Sequence, residues 1–108
     1  MLTIQNNITE KDFTQQVRDL AQLLGWAVYH TWVAIRSPKG FPDLVMLQPP
    51  RLLFAELKSE KGTLTDEQVE WLEALRTVPG VEVYLWQPGD WDEIVRILKK
   101  EDTNENSY

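Results

Sequence analysis

Three charged residues, Asp43, Glu56 and Lys58, stand at the ends of two apolar runs in the segment GFPDLVMLQPPRLLFAELKSEKG. Alternation along the second run places Glu56 and Lys58 on the same face as Leu52 and Phe54, so Glu56 projects from an apolar surface. A desolvated carboxylate is costly unless it has a partner. Side chains of these types at this spacing suit either a salt bridge at a strand end or the binding of a cation.

The turn between the two runs brings the acids together. Two adjacent prolines favour a tight connection, and pairing outward from it sets Gln48 opposite Arg51 and Asp43 opposite Glu56. Like charges directly opposed across a sheet are destabilising, and a divalent cation with oxygen ligands would relieve the conflict. Two simpler interpretations stay open: Asp43 is a turn residue in a Pro-Asp dipeptide, and Glu56 only pairs with Lys58.

Two further polar residues stand near predicted helix starts. Glu10 precedes Phe13 and Val17 by three and seven residues, so it falls on the inward-facing stripe of the first helix. Gln68 faces inward for the same reason, four residues before Leu72. The alternatives are that Glu10 stabilises the helix dipole and that Gln68 belongs to the capping box in TDEQ. With the strand-end charges, both residues are expected to converge on one edge of the sheet.

The elements that would position these residues follow from hydrophobic periodicity and from capping signals. Helices are predicted to begin after Thr9, Thr65 and Asp90, with Gly25 and the Pro79-Gly80 pair ending the first two. Strands are predicted at residues 26–31, 43–48, 51–58 and 81–87. Residues 32–42 are predicted to form a loop. The inward-facing helix positions are Phe13, Val17, Leu20, Ala21 and Leu24, then Val69, Leu72 and Leu75, then Trp91, Ile94, Val95 and Leu98. The order α-β-β-β-α-β-α predicts a mixed central sheet flanked by helices.

Length and composition bound the protein class. A chain of 108 residues can form one domain, here expected over residues 1–100, with residues 101–108 as a disordered tail. The chain has no cysteine, and no apolar stretch approaches the roughly 20 residues of a membrane span. These features predict a soluble, cytoplasmic protein. A net charge of −6 argues against general, sequence-independent nucleic-acid binding. The five tryptophans are expected mainly to fill the core.

Glu10, the GFPD segment ending at Asp43, the ELK segment at 56–58 and the Gln68 helix TDEQVEWL together resemble the PD-(D/E)XK nuclease superfamily. More narrowly, the chain is similar to the VRR-NUC family over residues 9–87. The resemblance implies a restriction-endonuclease-like α/β fold, with an α-β-β-β-α-β core and an added C-terminal helix. The motif positions show no departure from the family pattern, although the overall acidity is unusual for a nuclease.

The resemblance also implies roles for individual residues. Asp43 and Glu56 would be the main ligands of Mg²⁺ or Mn²⁺, with the backbone carbonyl of Leu57 and, directly or through water, Glu10. Lys58 would orient or activate the attacking water, and Gln68 would support the site. The residues expected to flank the site and touch the nucleic-acid backbone are His30, Arg36, Lys39 and Lys61.

The implied function is a metal-dependent endodeoxyribonuclease, selective for branched or junction DNA. Small stand-alone relatives, often from phage or bacteria, resemble Holliday junction resolvases and act as homodimers. Residues 31–35 or a Trp-bearing helix would then form the dimer interface. The alternative function is a non-catalytic accessory protein of recombination or replication that binds junction DNA. A third alternative is a small structural α/β domain with a chance motif.

Overall fold

Three helices and four strands make up the computed structural model, which describes residues 7–32 and 36–100. The elements, in chain order, are α1 (Glu10–Leu23), β1 (Ala27–His30), β2 (Leu44–Gln48), β3 (Arg51–Leu57), α2 (Asp66–Arg76), β4 (Val81–Trp86), a short 3₁₀ helix (Pro88–Asp90) and α3 (Trp91–Lys99). The predicted order and mixed α/β class are confirmed. The expected tail at 101–108 and positions 33–35 of the expected dimer segment lie outside the described residues.

All three helices begin directly after the predicted cap residues, and two of these residues cap the helix with their side chains. Thr9 accepts a hydrogen bond from the backbone of Asp12, and Thr65 forms a complete capping box with Gln68. Asp90 does not cap α3 with its side chain, which instead accepts from the backbone N–H of Gln87 at 2.9 Å. The reason is the 3₁₀ turn directly before α3, which draws the carboxylate back towards residue 87. None of the described helices has the length and apolarity needed to cross a membrane.

The four strands form one sheet in the order β1-β2-β3-β4. The β1–β2 and β2–β3 pairs are antiparallel, and β4 runs parallel to β3 after the α2 crossover. The β2–β3 register pairs Gln48 with Arg51 and Leu44 with Ala55, as predicted from the Pro-Pro turn. Asp43 and Lys58 lie one residue beyond the strands, on the side where the hairpin opens.

The sheet has two differently covered faces. The main core lies between one face and the helices α1 and α3, and it includes Phe13, Val17, Ala21, Trp26, Leu44, Met46, Leu53, Ala55, Leu57, Trp86, Ile94, Ile97 and Leu98. Helix α2 packs beside β4 on the opposite face, where Phe41 contacts Phe54 and Trp71 edge-on. The buried positions of α3 are Ile94, Ile97 and Leu98, whereas Val95, predicted to face inward, is half-buried. Two tryptophans fill the core as expected, but Trp32 is 69% exposed.

A buried arginine joins β3, β4 and the end of α3. The Arg51 guanidinium donates to both carboxylate oxygens of Glu82 at 2.7 Å and to the carbonyl oxygens of Ile97 and Lys100 at 3.0 and 2.7 Å. The guanidinium carbon Cζ of Arg51 also lies 4.8 Å from the centre of the Trp26 ring, a cation–π contact. Because these contacts distribute the positive charge over several partners, the cation is tolerated inside the fold.

Gly40 allows the loop before β2 to approach the start of α2. Its φ is +93°, and a Cβ built there would lie 2.6 Å from the carbonyl carbon of Glu67 and 2.8 Å from the amide nitrogen of Gln68. Only a residue without a side chain fits, because the neighbouring atoms belong to a helix backbone. The position of Gln68 relative to the sheet therefore depends on this glycine.

We expect Glu82→Gln to lower the free energy of unfolding by about 1–3 kcal/mol at neutral pH, because Arg51 would lose its charged partner. Hydrogen bonds from Arg51 hold the pKa of the Glu82 carboxyl below its ordinary 4.5. This stabilisation is thus fully present above pH 4.5 and is lost as the pH falls through the pKa of the folded protein. Urea denaturation at pH 7 and at several values below 4.5 measures the free energy of unfolding of both proteins, and the difference between Glu82→Gln and wild type should shrink in acid.

Glu93→Gln is the control, since the Glu93–Arg96 pair is exposed with 3.9 Å between its charged atoms. Equal losses in both variants would contradict the assignment.

Gly40→Ala should destabilise the protein more than Gly80→Ala. Both glycines have positive φ, +93° and +87°, so each alanine incurs a similar backbone strain of about 1 kcal/mol. Only at residue 40 does the new methyl group collide with α2, whereas nothing lies within 4 Å of the corresponding position at residue 80. Thermal denaturation should show an additional loss of about 1 kcal/mol or more for Gly40→Ala. Matching melting temperatures would contradict the close approach.

Candidate active site

Glu56 and Asp43 form the centre of the site, at the open end of the β2–β3 hairpin. Glu56 is only 1% exposed, and its Oε2 accepts a hydrogen bond from the Gln68 amide at 3.0 Å. Lys58 Nζ lies 3.8 Å from the same oxygen. Glu56 Oε1 is buried and has no hydrogen-bond partner. The Leu57 backbone N–H donates to Asp43 Oδ2 at 2.8 Å, which fixes the second carboxylate beside the first.

Burial and the neighbouring acid both disfavour a charge on Glu56. Desolvation is the largest cause that raises its pKa to about 8, followed by the charge of Asp43 and by the hydrogen bond that a protonated Glu56 would donate to the Asp43 carboxylate. Lys58 acts in the opposite direction and Glu10 adds a smaller increase. The two carboxyl groups are thus in direct contact, and their environment favours a proton or a cation between them.

The predicted salt bridge and the predicted acid pair therefore both exist. The Lys58 ammonium does not neutralise the pair, because the pKa of Glu56 stays raised in spite of it. The pairing of the strands explains the geometry: Asp43 and Glu56 lie directly beyond the last pair of the hairpin, Leu44 with Ala55. On the other side, the Asp43 carbonyl accepts from Thr31 N–H at 2.8 Å and extends the pairing of β1 with β2.

Glu10 is solvent-exposed in the first turn of α1 and does not face inward as its spacing predicted. Partial desolvation raises the pKa of its carboxyl, the Lys58 charge lowers it, and the Asp43 charge raises it again. Residues 7–32 and 36–100 contain no group of three or more His, Cys, Asp or Glu side chains arranged to hold a metal ion. The described geometry thus brings Glu10 within electrostatic reach of the site without forming a cluster of three carboxylates.

Gln68 performs both of the roles that its position suggested. Its Oε1 accepts from the Thr65 N–H at 2.9 Å and its own N–H donates to Thr65 Oγ1 at 3.1 Å, which completes the capping box. Its Nε2 is left to donate to Glu56. The Trp71 indole donates to the Lys39 carbonyl at 3.1 Å and ties the preceding loop to the same helix.

The four residues predicted to contact the nucleic-acid backbone differ in how far they are exposed. His30 is half-buried, and its ring centre lies 4.2 Å from that of Trp32. Burial lowers the pKa of His30, the charge of Arg18 lowers it further, and the Asp43 charge raises it. Arg36, Lys39 and Lys61 are exposed, and no described salt bridge links them to the carboxylate pair.

The structure adds Arg18 and Thr31, which the sequence analysis did not select. In the described parts of the chain, the buried side-chain polar atoms that have no hydrogen-bond partner belong to Arg18 (Nε), His30 (Nδ1), Thr31 (Oγ1) and Glu56 (Oε1). The available signal for Arg18 was its spacing of eight residues from Glu10, a little over two helical turns. Thr31 carries no comparable signal, because its position beside Asp43 arises from the pairing of β1 with β2.

Comparison with known proteins identifies the domain. Residues 3–87 match the family model of the VRR-NUC domain. A solved structure described as a VRR_NUC domain is similar, with a TM-score of 0.65, 23% sequence identity, and coverage of 82% of this chain and 97% of that chain. At this identity the likeness establishes the fold. Comparison with curated proteins gives no significant match. The family match, together with the D…ExK residues gathered at the end of the hairpin, shows that the chain belongs to the VRR-NUC domain family, a nuclease domain of the PD-(D/E)XK type.

Proposed function

We propose that this domain is a divalent-metal-dependent endodeoxyribonuclease that hydrolyses phosphodiester bonds in branched or junction DNA. The main support is Glu56, a fully buried carboxylate that contacts Asp43 and keeps one oxygen without a partner. A structural role alone does not explain this arrangement, because removing the acid would relieve an electrostatic conflict. A cation-binding role does explain it.

The residues present fit Mg²⁺ or Mn²⁺. Hard cations prefer oxygen ligands, and Mg²⁺ is commonly bound by one or two carboxylates together with substrate phosphate and water. Glu56 Oε1 is unpartnered, and Asp43 uses one described oxygen to accept from Leu57. Asp43, Glu56 and the Leu57 carbonyl would hold the ion, and Glu10 would contribute through water.

The bound ion would supply positive charge to the phosphoryl oxygens and make the attacking water more nucleophilic. The surrounding residues have distinct tasks. Gln68 fixes one oxygen of Glu56 and leaves the other for the ion, and the Leu57 amide does the same for Asp43. Lys58, with its ammonium close to Glu56, would donate a hydrogen bond that orients the water.

The proposal includes two further points: the domain prefers branched DNA, and it acts as a homodimer. Both are what the resemblance to the VRR-NUC family implies, and residues 3–87 match the model of that family. A net charge of −6 favours a substrate held at a few defined points over binding along the whole backbone. The same charge is the observation that favours the alternative, a junction-binding accessory protein without catalysis.

Purified protein should cleave four-way or flapped DNA with Mg²⁺ or Mn²⁺, and Asp43→Asn or Lys58→Ala should lower kcat by about 100-fold or more. The physical reason is the loss of a metal ligand or of the group that orients the water. Asp92→Asn, an equal charge change at an exposed position on α3, should cleave like wild type. Cleavage that persists in both site variants would overturn the site. Gel-shift binding of junction DNA without cleavage under any divalent metal would instead support the accessory role.

Glu56→Gln should change the melting temperature without metal and the response of the melting temperature to Mn²⁺. Without metal it should raise the melting temperature at neutral pH, because the neutral amide avoids the cost of keeping a carboxyl protonated whose pKa is raised to about 8, and its oxygen still accepts from Gln68; a gain of about 1 kcal/mol is typical for relief of this kind. Addition of Mn²⁺ should stabilise the wild type and not the variant, since a ligand stabilises only the state that binds it. Differential scanning calorimetry with and without Mn²⁺ measures both effects. Equal stabilisation of both proteins by Mn²⁺ would place the ion elsewhere.

A further inference from the structure

Unpartnered polar atoms outside the carboxylate pair are concentrated on the α1–β1 side of the site. Arg18 Nε, His30 Nδ1 and Thr31 Oγ1 are buried without hydrogen-bond partners in the described parts of the chain. Buried polar groups are nearly always paired, so a group of three unpaired ones in neighbouring elements indicates a missing partner. Helix α1, which contains Arg18, packs on β1, which ends at His30.

The missing partner has the chemistry of an anion. Arg18 is a half-buried cation that forms no described salt bridge, and its described hydrogen bond is a 3.4 Å contact with Gln15 on its own helix. The positive charge of Arg18 interacts with His30 and lowers the pKa of the imidazole ring. A guanidinium fork with free donors matches phosphate oxygens, and a neighbouring hydroxyl and imidazole can donate to the same group.

An exposed aromatic ring stands next to these donors. Trp32 is 69% exposed, and the His30 ring supports it at a centre-to-centre distance of 4.2 Å and an angle of 52°. Thr31, the residue before Trp32, is bonded through its backbone to Asp43. Single-stranded nucleic acids stack their bases on exposed aromatic rings of this kind in proteins that also present cations to the phosphates.

We propose that Arg18, His30 and Trp32 form a subsite for an unpaired nucleotide flanking the cleaved phosphodiester. Arg18 and His30 bind its phosphate, and Trp32 stacks on its base. The inference rests on the proposed nuclease function, and it names the feature of branched DNA that the domain selects: a base free of its complementary strand near the cut. A base within an intact duplex has both faces stacked and cannot reach the indole.

Steady-state cleavage of a flapped substrate tests the subsite. Trp32→Ala and Arg18→Gln should each raise KM about tenfold or more with a smaller change in kcat, as loss of one stacked base or one phosphate contact does. Trp32→Phe should restore most of the affinity. The controls are Leu23→Ala, an apolar side chain that is 81% exposed, and Arg96→Gln, an exposed cation on α3; both should leave KM unchanged. Unchanged KM values for both subsite variants would overturn the inference and leave the nuclease function standing.

An abasic nucleotide separates stacking from general damage to the fold. Removing the unpaired base at the flank should raise KM for the wild type and for Arg18→Gln, but not further for Trp32→Ala, because the variant has already lost the stacking partner. An additive loss in Trp32→Ala would show that the indole does not contact that base.

A binding measurement tests the subsite independently of catalysis. With Ca²⁺ in place of Mg²⁺, a single-stranded oligonucleotide should quench the tryptophan fluorescence of the wild type more than that of Trp32→Phe. Quenching that depends on Trp32, in a protein that cleaves nothing with any metal, would support the subsite and reject the nuclease function. Equal quenching in the two proteins would reject the subsite.

Discussion

Two carboxylates held in contact at the end of a hairpin are the constraint on which the site depends. Strand pairing forces Asp43 and Glu56 together, and the Leu57 amide keeps Asp43 in place. The two carboxyl groups stay close because the hairpin that carries them is rigid. The main core packs on one face of the hairpin and α2 packs on the other. Gln68, held by its capping box, and Lys58 then fix the orientation of Glu56 without cancelling its charge.

Arg51 and Glu56 are the buried ionisable side chains in the described parts of the chain, and they differ in how far their polar atoms are hydrogen-bonded. Arg51 has hydrogen bonds to Glu82 and to two carbonyl oxygens, so its charge is satisfied inside the protein and it serves to join β3, β4 and α3. Glu56 is buried as deeply but keeps a free oxygen and a raised pKa. A buried charged group whose polar atoms all have hydrogen-bond partners is typical of a structural ion pair. A buried charged group with an unpartnered atom in a rigid pocket is typical of a ligand-binding site.

Local sequence rules predicted the elements where one short-range interaction decides the structure. The Thr9 and Thr65 caps, the positive φ of Gly25 and the register set by the Pro-Pro turn each depend on a few adjacent residues. The rules were wrong where elements compete. Asp90 directly precedes α3 as predicted, but the 3₁₀ turn before the helix draws its carboxylate to Gln87. In α3, Ile97 is buried with the predicted Ile94 and Leu98, whereas Val95 is not.

The sequence by itself determined the order of the elements, the opposition of Asp43 and Glu56, and the motif that places the chain among nucleases, because these depend on periodicity, spacing and residue type. Only the tertiary structure decided that Gln68 bonds Glu56, that Gly40 must be glycine, and that Arg18, His30 and Trp32 lie together beside the acids. These relations join residues on different helices, strands and loops, and their distances are set by how the elements pack, which no local pattern encodes.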